Sequence, residues 1–261
     1  MNDLNRKMKM YEDKYKVYLE YGTPKILRVD MRGGKTFTKN LQKPFDKIFS
    51  QCMINTMKKL CESIPGAKIG YTQSDEISIV IKDLNKEGKQ VAPFANSLTK
   101  IISNTASMAT VFFNIYWDQA VLEFCSENCI DVNEAKQHPD KYSILAPYFE
   151  MHLCAMFDCR YFDVSTIEEI SEYLLTRQNN CYVNSVNSIA CHNFTNLEGI
   201  GTEDRVRMLE NAGIKLNQYP TKYFKGELCY KISEGSKNTW KDETAPNFYN
   251  NYQFINMIYN Q

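Results

Sequence analysis

Residues 67–81 constrain the fold more than any other stretch of the chain. Residues 67–72 (AKIGYT) form an apolar run, and from Asp75 to Ile81 the chain alternates Ile77, Ile79 and Ile81 with Glu76, Ser78 and Val80. Alternation of period two marks a strand whose two faces meet different surroundings. Gln73 and Ser74 join the two runs, and a joint that short makes them an antiparallel hairpin. Upstream, residues 25–30 (KILRVD) read as a short strand broken by Gly33 and Gly34. Pro44 to Cys61 reads as a helix with Phe45, Ile48, Phe49, Cys52, Met53, Thr56, Met57 and Leu60 on one face. Ala92 to Trp117 reads as a long helix rich in small residues. A strand at about 148–157 then completes the order βαββαβ, the ferredoxin-like unit.

The second half changes character. Helices are expected at 166–176, 181–194 and 202–212, the last closed by Gly213, followed by a strand at 222–232 and an irregular tail from 233 to 261. The fold class is α+β: an antiparallel ferredoxin-like sheet with helices on one face, plus a mostly helical C-terminal segment with a late strand pair. A division near residue 135 separates a core (1–135) from the segment that completes the sheet (136–261).

Composition narrows the function. Lys and Arg total 31, as do Asp and Glu, so the net charge is zero. That excludes a globally basic coat for nucleic acid and leaves room for a local basic groove. The nine cysteines are scattered and odd in number, with no CxxC pair, which suits a reducing cytoplasm and argues against a structural zinc site. Ile101 to Trp117 is interrupted by Ser103, Asn104, Thr105, Ser107 and Asn114, too polar for a membrane span. His138, His152 and His192 fall in no metal or triad spacing. Tyr219, Tyr223, Phe224 and Tyr230 interleave with Lys222, Lys225 and Lys231; such a stripe is either a strand with one core face or a surface that stacks RNA.

The carboxylates carry the chemistry. Asp30 ends the first strand, and Asp75 and Glu76 open the strand after the hairpin turn. On spacing alone Asp30 and Asp75 are either turn caps or a facing pair. Facing, they would hold two Mg²⁺ ions about 3.5–4 Å apart, the geometry of in-line phosphoryl transfer.

Several blocks resemble one family, in order, over roughly residues 7–231. PKILRVDMRGGKTFTK (24–39), GYTQSDEISIV (70–80), TKIISNTAS (99–107), MFDCRYFDV (156–164), LLTRQNNCYVNSVNSIACHNFT (174–195) and the block at 199–231 are similar to the motifs of tRNA-histidine guanylyltransferases and their guanylyltransferase-like 3′-to-5′ polymerase relatives. The resemblance implies a polymerase-like palm that adds nucleotides to an RNA 5′ end, by attack of a nucleotide 3′-hydroxyl on an activated 5′-phosphate. For the guanylyltransferase-like branch it implies templated repair of 5′-truncated tRNA. It implies Mg²⁺ (two ions, with Mn²⁺ as a substitute), ATP, GTP and other nucleoside triphosphates, tRNA or another structured RNA, and a homotetramer. By resemblance, Asp30, Asp75 and the Met31 carbonyl are metal ligands, with Glu76 catalytic beside them. Arg32, Gly33, Gly34, Lys35, Ser74 and Lys100 bind nucleotide. Asp158, Arg160, Arg177, Gln178 and Asn184 contact nucleotide or RNA. Three departures stand out: Met31 where the family has Gly, Ser97 where it has Arg, and Tyr182-Val183-Asn184-Ser185 where the histidine-tRNA enzymes have His-Ile-Asn-Asn. The last favours the guanylyltransferase-like branch. Two other readings of the same palm are a catalytically weak nucleotide- or RNA-binding module and a nucleotide cyclase.

Overall fold

The computed structural model describes residues 3–85, 87–234 and 237–261. Six antiparallel strands form one sheet: β1 (Lys25–Met31), β2 (Ala67–Gln73), β3 (Glu76–Ile81), β4 (Phe157–Asp163), β5 (Glu227–Glu234) and β6 (Lys237–Thr244), in the order β4-β1-β3-β2-β5-β6. The first four strands have the ferredoxin-like arrangement expected from βαββαβ. The helices are α1 (Asp3–Asp13), α2 (Gly34–Phe37), α3 (Lys47–Ser63), α4 (Leu98–Glu127), α5 (Val132–Gln137), α6 (Ala146–Glu150), α7 (Ile167–Asn193), α8 (Thr202–Asn211), α9 (Lys222–Lys225) and α10 (Tyr252–Asn260). Among the described residues no helix is long and apolar enough to cross a membrane.

The period-two pattern decides which helix covers which face. Leu27, Val29 and Met31 of β1 and Ile77, Ile79 and Ile81 of β3 pack with α3 and α4 around Met53, Met57, Phe113 and Trp117. These are the palm's own helices, on one face as expected. On the opposite face Ile69, Tyr71, Val80, Leu228 and Tyr230 pack with Ile170 and Leu174 of α7 and with Ile255, Ile258 and Tyr259 of α10. The C-terminal segment thus covers part of the second face, beneath β2, β3 and β5.

Several boundaries differ from the sequence reading. The helix expected at Ala92–Trp117 runs from Leu98 to Glu127, because Phe94 and Ala95 hold left-handed φ values that separate Pro93–Asn96 from it. The helix expected at Pro44–Cys61 starts at Lys47, after the Asp46 cap, so Phe45 precedes it. The strand expected at 148–157 lies at Phe157–Asp163, because Ala146–Glu150 is helical with Pro147 in its first turn. In β4 buried Phe157, Cys159 and Tyr161 alternate with outward Asp158 and Arg160, a charged outer face that hid the strand. The two helices expected at 166–176 and 181–194 are one, Ile167–Asn193. The polar run between them does not break it, because Arg177 and Gln178 meet polar partners inside the fold. Lys222–Lys225 is a helical turn ended by Gly226, whose φ of 76° is left-handed, so the strand starts at Glu227. The tail contains β6 and α10, and the spacing of Ile255, Ile258 and Tyr259 places all three against the sheet.

A buried ion pair ties one end of the sheet together. Lys25 is fully buried, and its Nζ lies 3.1 Å from Asp83 Oδ2. It also donates to the Thr23 carbonyl at 2.8 Å and the Thr23 hydroxyl at 2.6 Å. Asp83 accepts from the Gly22 amide (3.1 Å) and Asn96 Nδ2 (2.9 Å), and the Tyr161 hydroxyl donates to Asn96 at 2.8 Å. Removing one member of such a pair leaves an uncompensated buried charge. Lys25→Met is therefore expected to cost about 3–5 kcal/mol of stability in urea unfolding. Lys59→Met, which breaks an exposed pair with Glu62, is expected to cost less than about 1 kcal/mol. Equal costs would show that the buried pair is not what secures this end.

Candidate functional site

At the other end of the sheet the same alternation gathers charge. Pairing across β1 places Asp30 opposite Glu76 on β3 and opposite Asp158 on β4, and Glu76 in turn faces Gln73 on β2. Directly paired residues share a face, so Asp158, Asp30, Glu76 and Gln73 form one row on the face away from α3 and α4. Asp75 joins it from the hairpin turn, where its carbonyl accepts the Met31 amide at 3.0 Å. Ser74, beside it, holds a left-handed φ of 50°, a strained state of the kind that positions functional turns.

The row is electrostatically crowded. Burial pushes the Asp30 carboxyl up to about 6, and the negative charges of Asp75, Glu76 and Asp158 push the same way against Arg28. Glu76, 9% exposed, pairs through Oε2 with Arg177 of α7 at 3.0 Å. Among the described residues its Oε1 has no partner, nor do Arg177 Nε and Gln73 Oε1, although all three atoms are buried. One residue pair along, Arg28 faces Arg160 across β1 and β4 and Ser78 across β1 and β3. Neither guanidinium closes an ion pair among the described residues. Like charges directly opposed on a sheet are unfavourable and suit a bound anion.

Asp30, Asp75 and the Met31 carbonyl are hard oxygen donors, and a cation among them would relieve the repulsion that raises Asp30. The set therefore fits Mg²⁺, which takes one or two carboxylates and completes its shell with water and phosphate. Among the described residues no three of His, Cys, Asp and Glu enclose a metal by side chains alone. Met31 does not disturb the geometry. Its side chain is 4% exposed in the core against α3 and α4, and its backbone is ordinary strand. Gly34 is the position where a side chain would interfere: a Cβ there would stand 1.9 Å from Asp75 Oδ2.

The sequence-derived candidates separate in space. Asp30, Asp75, Glu76, Met31, Gly34, Ser74, Asp158, Arg160 and Arg177 converge on this end of the sheet. Arg32 and Lys35 are exposed beside it, with Gly33 left-handed at φ 69° between them. Gln178 is buried and fully used, donating to the carbonyls of Lys225 and Pro246 and accepting the Phe248 amide, so its geometry is that of a scaffold. Lys100 is exposed near the start of α4, on the helix that backs the opposite face. That start is moored at Tyr161 through Asn96, about 10 Å along β4 from Asp158 by strand rise. The aromatic stripe is structural: Tyr223 stacks on Phe45 at 4.1 Å, Tyr219 and Phe224 pack with α7 and α8, and Tyr230 is buried. Arg28 and Gln73 were missed from sequence, because nothing but strand register shows what they face.

A cleft of about 160 Å³ opens on the other side of Ser74. Its wall comes from the loop at 38–46, the start of α3, Asn184 on α7, and Lys222, Tyr223 and Glu227. Asp46 caps α3, accepting the Phe49 amide at 2.7 Å and the Gln42 amide at 3.1 Å.

Two outcomes follow from the crowded row. Because the folded-state pKa of Asp30 is raised above its ordinary value near 3.9, ionising it opposes folding. That penalty is absent below about pH 4 and complete above about pH 6. In metal-free buffer Asp30→Asn should melt a few degrees higher than wild type at pH 8 and level with it at pH 4. An unchanged gap across that range would remove the repulsion argument. Gly34→Ala should lower the melting temperature by no more than a few degrees, since the Asp75 carboxylate can rotate away and only its Cβ, 3.1 Å from the added methyl, must give slightly, yet weaken Mg²⁺ binding about ten-fold or more; isothermal titration with Mg²⁺ checks it.

Comparison with known proteins identifies the family. The family model for tRNAHis guanylyltransferase (Thg1) matches residues 5–165. The uncharacterized protein R259 of Acanthamoeba polyphaga mimivirus is 27% identical over 225 residues, covering 82% of this chain and 72% of its own. The tRNA(His) guanylyltransferase of Debaryomyces hansenii is 26% identical over 163 residues, 62% of this chain and 51% of the yeast enzyme. Among solved structures, a bacterial tRNA(His) guanylyltransferase (Thg1)-like protein in complex with ATP superposes with a TM-score of 0.79 at 28% identity, covering 98% of both chains. Such a protein in complex with GTP gives 0.76 at 26% over 100% of both. The Saccharomyces cerevisiae enzyme, at 18% identity and 0.59, shares the fold over 84% of this chain and 91% of its own. With the family match running from α1 through β4 and taking in the whole carboxylate row, the chain belongs to the tRNAHis guanylyltransferase family of nucleotidyltransferases.

Proposed function

We propose that this protein adds nucleotides to the 5′ end of RNA in the 3′-to-5′ direction, choosing them by pairing with the opposite strand, and that its substrate class is 5′-truncated tRNA. The observation that carries the reading is the row Asp158–Asp30–Glu76, with Asp75 beside it, lying next to the opposed pair Arg28–Arg160. Acidic and cationic rows one step apart suit a polyphosphate carried with divalent cations. The family and the ATP- and GTP-bound relatives support nucleoside triphosphates and tRNA as partners.

In this reading Asp30, Asp75 and the Met31 carbonyl hold two Mg²⁺ ions. Bound there, Mg²⁺ lowers the pKa of an attacking hydroxyl and neutralises charge on the phosphates. The chain's own groups do the rest. Arg28 and Arg160 hold phosphate oxygens across the two strands. Arg177 fixes Glu76 and leaves its unpaired Oε1 to accept a hydrogen bond from the incoming nucleotide. The 3′-hydroxyl oxygen of that nucleotide bonds to the 5′ α-phosphorus of the RNA, and the bond to the leaving group breaks, releasing pyrophosphate from a 5′-triphosphate end. Arg32, Gly33, Lys35 and Ser74 border the triphosphate, Asn184 borders the cleft, and Lys100 serves from outside the row. Ser97, where the family has Arg, stands at the start of α4, which is moored at Tyr161 and not at the carboxylate row. The family's tetramer is supported by an exposed apolar stripe on α4, formed by Val111, Ile115 and Leu122. Nine cysteines, none in a disulfide, support a cytoplasmic setting.

The test is extension of a 5′-triphosphorylated tRNA lacking its first nucleotide, with labelled nucleoside triphosphates and Mg²⁺. Templated growth is expected from wild type. Asp30→Ala and Asp75→Ala should each lose about 10³-fold or more, as loss of a charge-stabilising group at a reacting centre does, while RNA binding persists. RNA binding without growth in the wild type would assign the fold to a silent binding module. A cyclic nucleotide released without RNA would assign it to a cyclase.

A further inference from the structure

Among the described residues the carboxylate row pairs with one cation, Arg177, and what keeps that cation in place decides how the row behaves. Arg177 donates from Nη1 to Glu76 Oε2 at 3.0 Å. Its Nε is buried and has no partner among those residues. Other carboxylates stand close by. Asp30 is directly opposite Glu76 in the register, and Asp158 is opposite Asp30. Paired Cβ atoms on a shared face lie about 4.5–5.5 Å apart, so a guanidinium that lets go of Glu76 finds Asp30 within reach. There it would take the place of Mg²⁺, one cation excluding another. Glu76 by itself cannot prevent this, since Asp30 offers the guanidinium the same charge.

Tyr173 supplies the bias. It lies four residues before Arg177 on α7, and positions four apart on a helix are neighbours. Its ring carries the guanidinium, with Cζ 5.8 Å from the ring centre. The ring is itself fixed at two points. Its hydroxyl shares a hydrogen bond of 2.9 Å with Ser78 Oγ, and it packs edge-on against Phe162 of β4 with the centroids 5.8 Å apart. Burial pushes the hydroxyl pKa up to about 12, so the group stays protonated and neutral around pH 7. Ser78 is 1% exposed and lies two residues beyond Glu76 on the same strand. The spacings match: residues two apart on a strand are separated by about 6.8 Å, and residues four apart on a helix by about 6 Å. Two rungs, Ser78–Tyr173 and Glu76–Arg177, therefore join β3 to α7, and the contact between ring and guanidinium closes the frame.

We propose that Tyr173 is a positioning residue: its ring holds Arg177 on Glu76 and off Asp30, which leaves the Asp30 carboxylate free for Mg²⁺. The assignment rests on the reading that Asp30 and Asp75 bind Mg²⁺.

Isothermal titration of the full chain with Mg²⁺ alone tests it. Tyr173→Leu removes the ring and should weaken Mg²⁺ binding about ten-fold, the worth of a desolvated contact between a cation and an aromatic face. Tyr173→Phe should stay within about three-fold of wild type, since that contact remains. Removing the cation as well separates positioning from packing. In the double variant Tyr173→Leu/Arg177→Met nothing is left to occupy Asp30, so Mg²⁺ should bind at least as tightly as to wild type. A packing role alone gives the opposite result, a double variant no better than Tyr173→Leu. Tyr173→Met, whose flexible chain fills irregular gaps, serves as the second variant without a ring, with thermal melting as the folding check. Unchanged Mg²⁺ affinity in the folded variants without the ring, or no recovery in the double variant, would overturn the role of Tyr173 and leave the metal reading standing. A wild type that binds no Mg²⁺ would overturn the metal reading and the role of Tyr173 with it.

Discussion

Strand register is the constraint on which the site depends. Asp30 sits between Leu27, Val29 and Met31, which are core, and it can face the open side only because side chains alternate with period two. A slip of one residue in β1 would carry Asp30 and Arg28 into the packing of Phe113 and Trp117 and expose Val29. The pairing Asp158–Asp30–Glu76 and the next pairing, Arg160–Arg28–Ser78, are consequences of the same register. The core that fixes this register is large and apolar on the α3 and α4 side, so the hydrophobic effect that stabilises the sheet also aligns the charges on its other face. No interaction among the carboxylates themselves could do this, since every pair of them is repulsive.

What the sequence makes legible follows from how local each feature is. The hairpin at 67–81 and the strand at 25–30 can be read because each carries its own alternation and its own break. Asp30, Asp75 and Glu76 can be read because they stand at the ends of those strands. β4 is obscured because its outer face is charged and its inner face uses Cys159 and Tyr161, and a proline-led helical turn stands where the strand was expected. The single helix from Ile167 to Asn193 is obscured because Arg177 and Gln178 look like a solvated break. Their partners, Glu76 and the backbone at Lys225, Pro246 and Phe248, are far away in sequence. The tail is obscured because the apolar spacing of α10 is short and set among tyrosines and asparagines. Arg28 and Gln73 share one cause: each matters through what register sets opposite or beside it, and periodicity gives the face of a residue without naming its neighbour.

The two ends of the sheet use charge in opposite ways. At the Lys25 end a buried cation meets a buried anion, and hydrogen bonds from Lys25 to Thr23 and from Gly22 and Asn96 to Asp83 complete the set. Such a closed set adds rigidity and has no vacancy for a ligand. At the Asp30 end four carboxylates crowd together, Glu76 alone meeting the half-buried Arg177 guanidinium among the described residues, while Arg28 and Arg160 stand opposed and close no ion pair among those residues. This arrangement opposes folding of the free protein and stores interaction energy for a ligand of matching charge. The difference also explains why Gln178, though polar and flanked by site residues, behaves like the Lys25 end: its amide is satisfied on every side. Glu76 beside it keeps an oxygen in reserve. A buried polar group in this fold is scaffold when its hydrogen bonds close within the chain. Where they stay open, as at Glu76 Oε1 and Gln73 Oε1, the group keeps capacity that the described residues do not fill.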